Sequence, residues 1–416
     1  MSAGCFRYEG AVKDSSRWFC LLVLVGNSCP WSALGQIDPV KRSLLQVGYN
    51  AALEGHSPLS AYAFYYHNQP GFLRTNLTLR LAVAPTYLDS ELGVSQALGE
   101  NTDLGFGLAG GAFADSYTEI DKGKYYPSQS FSGYGAEPSL SIYHLFNPGQ
   151  QIPLYGLLRG GARFSAYEDG DDTASTFQLP ENRGTFSARA GLRWGGREPL
   201  LFPAMAMELS VWYEGQFRTD SDTYGYGDRS VEAQSHLFWC QALLGYTLPE
   251  LKHNFCVSLT AGTSLDPDRF SAYRLGSLLP LASEYPLSLP GSYYQELSAA
   301  QFVLASGNYV IPLDRRQRWN ISATASSALV DYLDGLGQPG HWNTGVGAGL
   351  LYVSPSWKIM FCYSYGVDAI RAHGRGAHSI GVLVQFDLAR ARQAQIKPEQ
   401  PGRWRGFQQL LDIFQR

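Results

Sequence analysis

The sequence predicts an all-β protein: a closed antiparallel transmembrane β-barrel of sixteen strands, with a short amphipathic helix at its C-terminal end. Two observations carry the prediction. Segments of about ten residues alternate apolar with polar or small side chains, which is the period of a strand and not of a helix. In AMAMELSVWYEGQFR (204–218), Met205, Met207, Leu209, Val211 and Tyr213 share one parity, and Glu208, Ser210, Glu214 and Gln216 the other. Past the N-terminal leader, no apolar run approaches the roughly 20 residues of a membrane-spanning helix, so any crossing is made by strands.

Composition agrees. Only 16% of residues are charged, against about 25% in an average globular domain, and 26 tyrosines and 45 glycines are many for a soluble enzyme of 416 residues. A net charge of −4 without a long basic run gives no electrostatic footprint for nucleic acid.

The elements follow in chain order. Residues 1–35 read as an export signal: Arg17, the apolar run Trp18–Gly26, and the small-residue site Ala33-Leu34-Gly35 before Gln36. Its n-region is long and contains Glu9 and Asp14, and a lipoprotein reading through Cys29 lacks the aliphatic residue expected in the preceding Gly26-Asn27-Ser28. Residues 36–388 are the barrel. Alternation recurs at 74–83, 185–194, 254–261, 318–325 and 342–352, with strands longer than the five or six residues usual in a soluble β-sandwich. Only a closed sheet satisfies its own backbone in lipid, so one parity is expected to face lipid and the other a wet lumen.

Short links at 147–151, 249–252, 314–317 and 355–356 alternate with long ones at 115–133, 167–183, 219–230, 266–295, 332–341 and 367–377. Such barrels have short periplasmic turns and long outer loops. Fifteen strands are picked out between Leu44 and Leu388. An even number with both ends periplasmic requires one more in the weakly patterned Thr86 to Val94, and fourteen is the alternative count. The tail, 389–416, carries Trp404, Phe407, Leu410, Leu411 and Phe414 at helical spacing, a short amphipathic helix that could plug the lumen, lie on the membrane surface or bind a partner.

Inward parity collects Arg80, Arg159, Arg163, Arg189 and Arg193 with Glu208 and Glu214, charges that can tune solute selectivity, hold a plug by ion pairs or simply be solvated. The match to G-x-G-x-x-G at Gly105–Gly110 lacks the strand-then-helix setting of a dinucleotide loop, because Leu104, Phe106 and Leu108 alternate with the glycines in one strand. His144, His236 and His378 lie in strands without a spacing that singles out a nucleophile, so no catalytic residue is assigned and no enzyme activity is expected. Glu168, Asp169, Asp171, Asp172, Asp220 and Asp222 are loop carboxylates that could bind a divalent ion bridging surface lipids, although such runs are usually just solvated. Cys240, Cys256 and Cys362 are odd in number and not spaced as metal ligands, so neither a metal nor a cofactor is expected.

The segment from Asp266, with YRLGS followed by LPGSYYQELSAAQFVLASGNYVIPL, resembles the bacterial surface antigen superfamily of outer-membrane assembly and secretion barrels, and is especially similar to the barrel of patatin-like phospholipases. SSALVDYLDG and GVGAGLLYVSPSWKIMFCYSYG look like that family's strands thirteen to fifteen, so the likeness spans about 266–388. It implies that the sixth outer loop (about 266–295) folds into the lumen, where a loop arginine within a hydrophobic-Arg-Gly-aromatic motif meets an acid on strand thirteen. Here the matching positions are Leu289, Pro290, Gly291 and Ser292. Proline replaces the arginine and cannot mimic its fork. Arg274, beside Leu275 and Gly276, is the alternative source of charge, and Asp331 is the matching acid. By parity Asp331 faces lipid, where a carboxylate is costly, unless a β-bulge at Ser326-Ser327 turns it inward. The family's transport-associated modules have no room between Gln36 and the first strand, and its phospholipase elbow is not found.

The functional expectation is therefore a protein of the bacterial outer membrane, in contact with the lipid bilayer, that inserts or translocates a polypeptide or lipid client. A passive diffusion pore or structural protein is the alternative.

Overall fold

The structure, a computed structural model, describes residues 40–196, 205–277 and 286–391. The leader and the tail helix lie outside the described residues. Sixteen strands build the wall: β1 (Arg42–Ala52), β2 (Ala61–Pro70), β3 (Leu77–Ala84), β4 (Tyr87–Val94), β5 (Thr102–Gly111), β6 (Phe131–Leu145), β7 (Leu154–Asp169) and β8 (Arg183–Gly196). They continue as β9 (Met205–Arg218), β10 (Gln234–Thr247), β11 (Asn254–Leu265), β12 (Leu297–Pro312), β13 (Trp319–Tyr332), β14 (Trp342–Val353), β15 (Trp357–Arg371) and β16 (Gly374–Asp387). Each pairs antiparallel with the next. The ring closes where β1 meets β16, from Leu44 opposite Asp387 to Ala52 opposite Ser379, so the wall has no free edge. The strand required in Thr86 to Val94 is β4.

Burial is inverted relative to a soluble domain. On the outer face Leu45, Val47, Phe106, Leu209, Val211, Ile321 and Phe361 are exposed, while Gln46, Glu91, Ser141, Glu208, Ser210, Ser322 and Ser364 are buried inside. The inner wall also has dry patches, one of Tyr143, Leu157 and Trp212 and one of Val310, Leu351, Met360 and Leu383. Glycines make room for its large rings: a Cβ on Gly191 would stand 2.1 Å from the Trp212 ring, and one on Gly48 2.3 Å from that of Tyr62.

One expected loop is not a loop. Residues 367–377 were expected as a long connection, but β15 runs to Arg371 and β16 starts at Gly374. A register shift between Gly366 and Ile370 absorbs the extra residues, and Asp368 Oδ2 accepts the Thr344 N–H at 3.0 Å. Charged and glycine residues thus continue the ladder of β15 and β16.

The wall is uneven in height. Strands β3 and β4 have eight residues each and are joined through Pro85-Thr86, whereas β7 and β12 have sixteen. Above the tall side, outer loops 112–130, 170–182 and 219–233 fold together with the start of the sixth loop into a cap. Its core is Tyr117, Phe131, Phe177, Tyr224 and Val231, with Phe270 against them. Two small hairpins stiffen it, Ile120–Asp121 with Lys124–Tyr125 and Asp222–Tyr224 with Arg229–Val231. Buried charges are paired there: Arg218 Nη1 lies 2.7 Å from Asp268 Oδ2, and Glu119 receives Arg229 at 3.2 Å and Arg269 at 3.3 Å.

Candidate functional site: the lumen and its sixth loop

The sixth loop begins in the cap and turns back into the barrel. Tyr273–Leu275 adds a short antiparallel strand to Leu297–Ala299 at the top of β12, and the Leu289 N–H donates to the Ser277 carbonyl at 2.9 Å. Leu275 and Leu289 are buried against Leu297, Phe302 and Leu304 of β12, Ala328 and Val330 of β13, and Leu237 of β10. An apolar inner wall at this height is what a dry loop requires, since each buried side chain of this size contributes roughly 1.5–3 kcal/mol.

The tip of the loop sits on a floor of glycine. Gly345 of β14 and Gly366 of β15 are cross-strand partners. A Cβ on Gly345 would stand 2.1 Å from the Pro290 carbonyl oxygen, and one on Gly291 would stand 1.9 Å from the Gly366 nitrogen. Gly291 has φ +82°, a conformation that glycine adopts without steric cost. Proline at 290 thus fits a position where backbone, not a guanidinium, meets the wall.

A charge lock is nevertheless present, with its polarity reversed. The acid is on the loop, Glu296, and the arginine is on the wall, Arg371 at the end of β15. Oε1 lies 2.7 Å from Nη1 and Oε2 3.1 Å from Nη2, a two-point contact between side chains that are each 1% exposed. Glu296 Oε2 also accepts the Tyr293 N–H at 2.6 Å, Arg371 donates to the Gly291 carbonyl at 3.3 Å, and its guanidinium lies 3.7 Å from the Tyr293 ring centre. The Tyr293 hydroxyl in turn donates to the Glu54 carbonyl at 3.0 Å, just beyond β1. Glu54 accepts the His378 N–H of β16 at 2.6 Å. The loop is therefore tied to both strands that close the ring.

Neither Arg274 nor Asp331 takes part. Arg274 donates to the carbonyls of Gln295 at 3.2 Å and Thr118 at 2.9 Å and stacks on Tyr117. Asp331 faces outward and is exposed. The bulge expected at Ser326-Ser327 is not formed, since β13 pairs without interruption from Leu329 to Trp319, and the shift on its other side lies at Ala299/Gln301 of β12. Ala328 and Val330 are apolar because they meet the loop, so the change of pattern marks a dry lumen and not a change of phase. Gly276 has φ +147°, and a Cβ there would stand 2.1 Å from the Tyr293 carbonyl oxygen; Ser292 is buried beside it in the loop.

The remaining inward charges pair along the wall. Arg159 donates to Glu91 Oε2 at 2.8 Å and to Ser141 at 2.7 Å, and Glu91 also accepts the Tyr143 hydroxyl. Arg80 lies 3.5 Å from Asp89 and 3.9 Å from Glu91. Arg163 bonds Asp115, Arg189 bonds Glu214 at 2.7 Å, and Arg193 lies 3.3 Å from Glu208. Between this wall and the loop lies a polar cavity of 470 Å³. Elsewhere, His144 meets the Thr102 hydroxyl, His236 that of Tyr213 and His378 that of Tyr363, and no group of three or more potential metal ligands gathers among the described residues. Of the acidic loop residues, Asp222 lies 3.5 Å from Arg183 and Glu168 accepts the Tyr134 hydroxyl.

Reading the sequence missed Glu296, Arg371, Tyr293 and the glycine floor. A carboxylate within an otherwise apolar loop end was the available signal for Glu296. Arg371, in an assumed loop, offered none.

These features define a closed sixteen-stranded barrel with an inward-folded outer loop. Its fold is similar to that of CdiB from Acinetobacter baumannii, with a TM-score of 0.54 at 10% identity over 83% of this chain and 60% of that one. CdiB from Escherichia coli matches with a TM-score of 0.55 at 13% identity over 84% and 63%. BamA from Haemophilus ducreyi lacking POTRA domains 1–3 matches with a TM-score of 0.50 at 12% identity over 83% and 70%. The chain thus spans less than two thirds of the length of either CdiB. No protein-family model matches the sequence, and no curated protein does.

Proposed function

We propose that this chain is an outer-membrane barrel that moves or inserts a polypeptide, with its sixth loop as a resident plug. The observation that carries the reading is the loop seat itself: an apolar face, a glycine floor and a buried Glu296–Arg371 pair hold one loop inside the lumen. A simple diffusion pore gains nothing from filling its own channel. The exposed apolar outer face supports residence in lipid. The fold shared with CdiB and BamA and the sequence likeness to the surface antigen superfamily support a polypeptide client, with a lipid client next; fold alone does not fix function. The closer likeness to patatin-like phospholipase barrels rests on sequence wording only, and no catalytic role is proposed.

Planar-bilayer recording tests this reading. The wild-type chain is expected to stay mostly closed, and a variant with residues 277–292 replaced by a short Gly-Ser linker to give a large steady current. A wild-type channel that stands open, or a linker variant with unchanged current, favours the passive pore or the structural protein. A photocrosslinker at Ser187 on the inner wall is expected to capture polypeptide in cells; no captured polypeptide counts against the client.

A further inference from the structure

We propose that a groove on the lipid-facing side of β10 to β13 holds one phospholipid whose headgroup carries a primary ammonium. The groove has a volume of 560 Å³. Its floor is low because the cross-strand partners Cys240 of β10 and Ala261 of β11 carry short side chains. Val211 and Phe238 stand to one side of it and Val303 and Leu329 to the other, all outward and exposed. At its outer end the apolar pattern breaks. Thr263, Gln301 and Asp331 form one exposed outward row across β11, β12 and β13, directly above Ala261, Val303 and Leu329. Among the described residues none of these three polar side chains meets a hydrogen-bond or ion-pair partner.

The row is set by a local device. The register shift between Ala299 and Gln301 lies at its upper edge, and the extra residue is held by a hydrogen bond from Ser264 Oγ to the Ala300 carbonyl at 2.7 Å. The shift turns Gln301 outward beside Asp331 while Ala299 stays fully buried inside. Trp342, the first residue of β14, faces outward next to Leu329 and is exposed, as in the aromatic girdle that separates the apolar band from the headgroups.

Asp331 selects the occupant. A lone carboxylate facing lipid is costly, and the cation that a bilayer itself supplies is a headgroup ammonium. An anionic headgroup is repelled, and a quaternary ammonium has no N–H for a charge-assisted hydrogen bond. The Gln301 amide and the Thr263 hydroxyl can donate to the lipid phosphate. Neighbouring strands stand roughly 4.8 Å apart, a step that a two-carbon ethanolamine arm bridges. One acyl chain then covers Cys240 and Ala261. On the other side of the same wall, Phe302 and Val330 belong to the bed of the sixth loop, so the lipid lies back to back with the loop seat. The site rests on the barrel's residence in lipid and stands whether or not a polypeptide is the client.

The test offers the full chain in detergent an equal mixture of phosphatidylethanolamine, phosphatidylglycerol and phosphatidylcholine with identical acyl chains, and reads the retained lipid by native mass spectrometry. One phosphatidylethanolamine per barrel is expected, favoured about tenfold over the other two. Asp331→Asn should erase that preference, and Ala261→Phe, which fills the groove, should reduce retention of all three lipids. In lipid-free detergent both variants are expected to unfold as the wild type does, so that a lost lipid is not a lost fold. Equal retention of the three lipids, a preference for phosphatidylglycerol, a preference that survives Asp331→Asn, or retention indifferent to Ala261→Phe overturns the site. A photocrosslinker at Val303 in the otherwise wild-type chain decides independently in cells: a lipid-sized adduct supports the proposal, and a polypeptide adduct assigns the groove to a protein partner and overturns it.

Discussion

Glu296, at the end of the sixth loop, and Arg371, at the outer end of β15, form a two-point ion pair 2.7 Å apart at its shorter contact, with both side chains 1% exposed. Removing one member strands the other charge, a cost of about 3–5 kcal/mol, whereas removing both together costs less than the sum. Glu296→Ala and Arg371→Met are each expected to lower stability by that order in denaturant unfolding followed by tryptophan fluorescence, with the double variant recovering part of the loss. Additive losses would show that the two residues do not act as a pair.

The glycine floor makes a steric prediction. A side chain at Gly345 meets the Pro290 carbonyl at 2.1 Å, and backbone cannot yield as the end of a flexible side chain can. Gly345→Val should lift the loop from β14 and raise bilayer conductance, while Gly347→Val, two residues along the same strand and away from the loop, should leave the current low. Equal currents from the two variants would remove the floor from the account.

Asp331 gives the opposite expectation. It lies outward on β13, across from Gln301, and shares no contact with the loop. Asp331→Asn is expected to change stability by no more than about 0.5 kcal/mol and to leave conductance alone. A loss as large as that of Glu296→Ala would return Asp331 to the lock.

The aromatic cap predicts an alkaline transition. Burial raises the Tyr117 phenol to about 12, and the adjacent Glu119 carboxylate acts in the same direction; in an unfolded chain the value is about 10. The folded state holds this proton more tightly, so its contribution is intact below pH 10 and falls as pH rises through 12, by up to roughly 3 kcal/mol. Tyr117→Phe should flatten the loss of stability between pH 10 and 12, with tyrosinate absorbance marking the transition. A variant and wild type that lose stability in parallel would sink this expectation.

The wall was legible because its period of two is a local signal: every lipid-facing side chain announces its parity regardless of what fills the barrel. Even the weak strand β4 followed from the need for an even count. The inside was less legible, because what an inward residue does depends on what lies across the lumen from it. Ala328 and Val330 looked like a change of phase and are instead the bed of the sixth loop. Proline at 290 announced that the lock had changed, but its replacement lay on Arg371, 81 residues further on, in a segment whose charges and glycines read as a loop. Asp331 shows the same limit, since its strand position was right and its face was fixed by an uninterrupted register that no single strand reveals.

The unequal heights of the wall strands have a consequence for the surrounding lipid. Eight residues inclined at about 40° span roughly 21 Å, short of the apolar band of about 25 Å typical of such barrels, whereas sixteen span about 42 Å. Around β3 and β4 the two leaflets must therefore pinch together, or the whole cylinder must lean toward that flank. Either response singles out one sector of the circumference, and lipid headgroups come nearest to the barrel interior there.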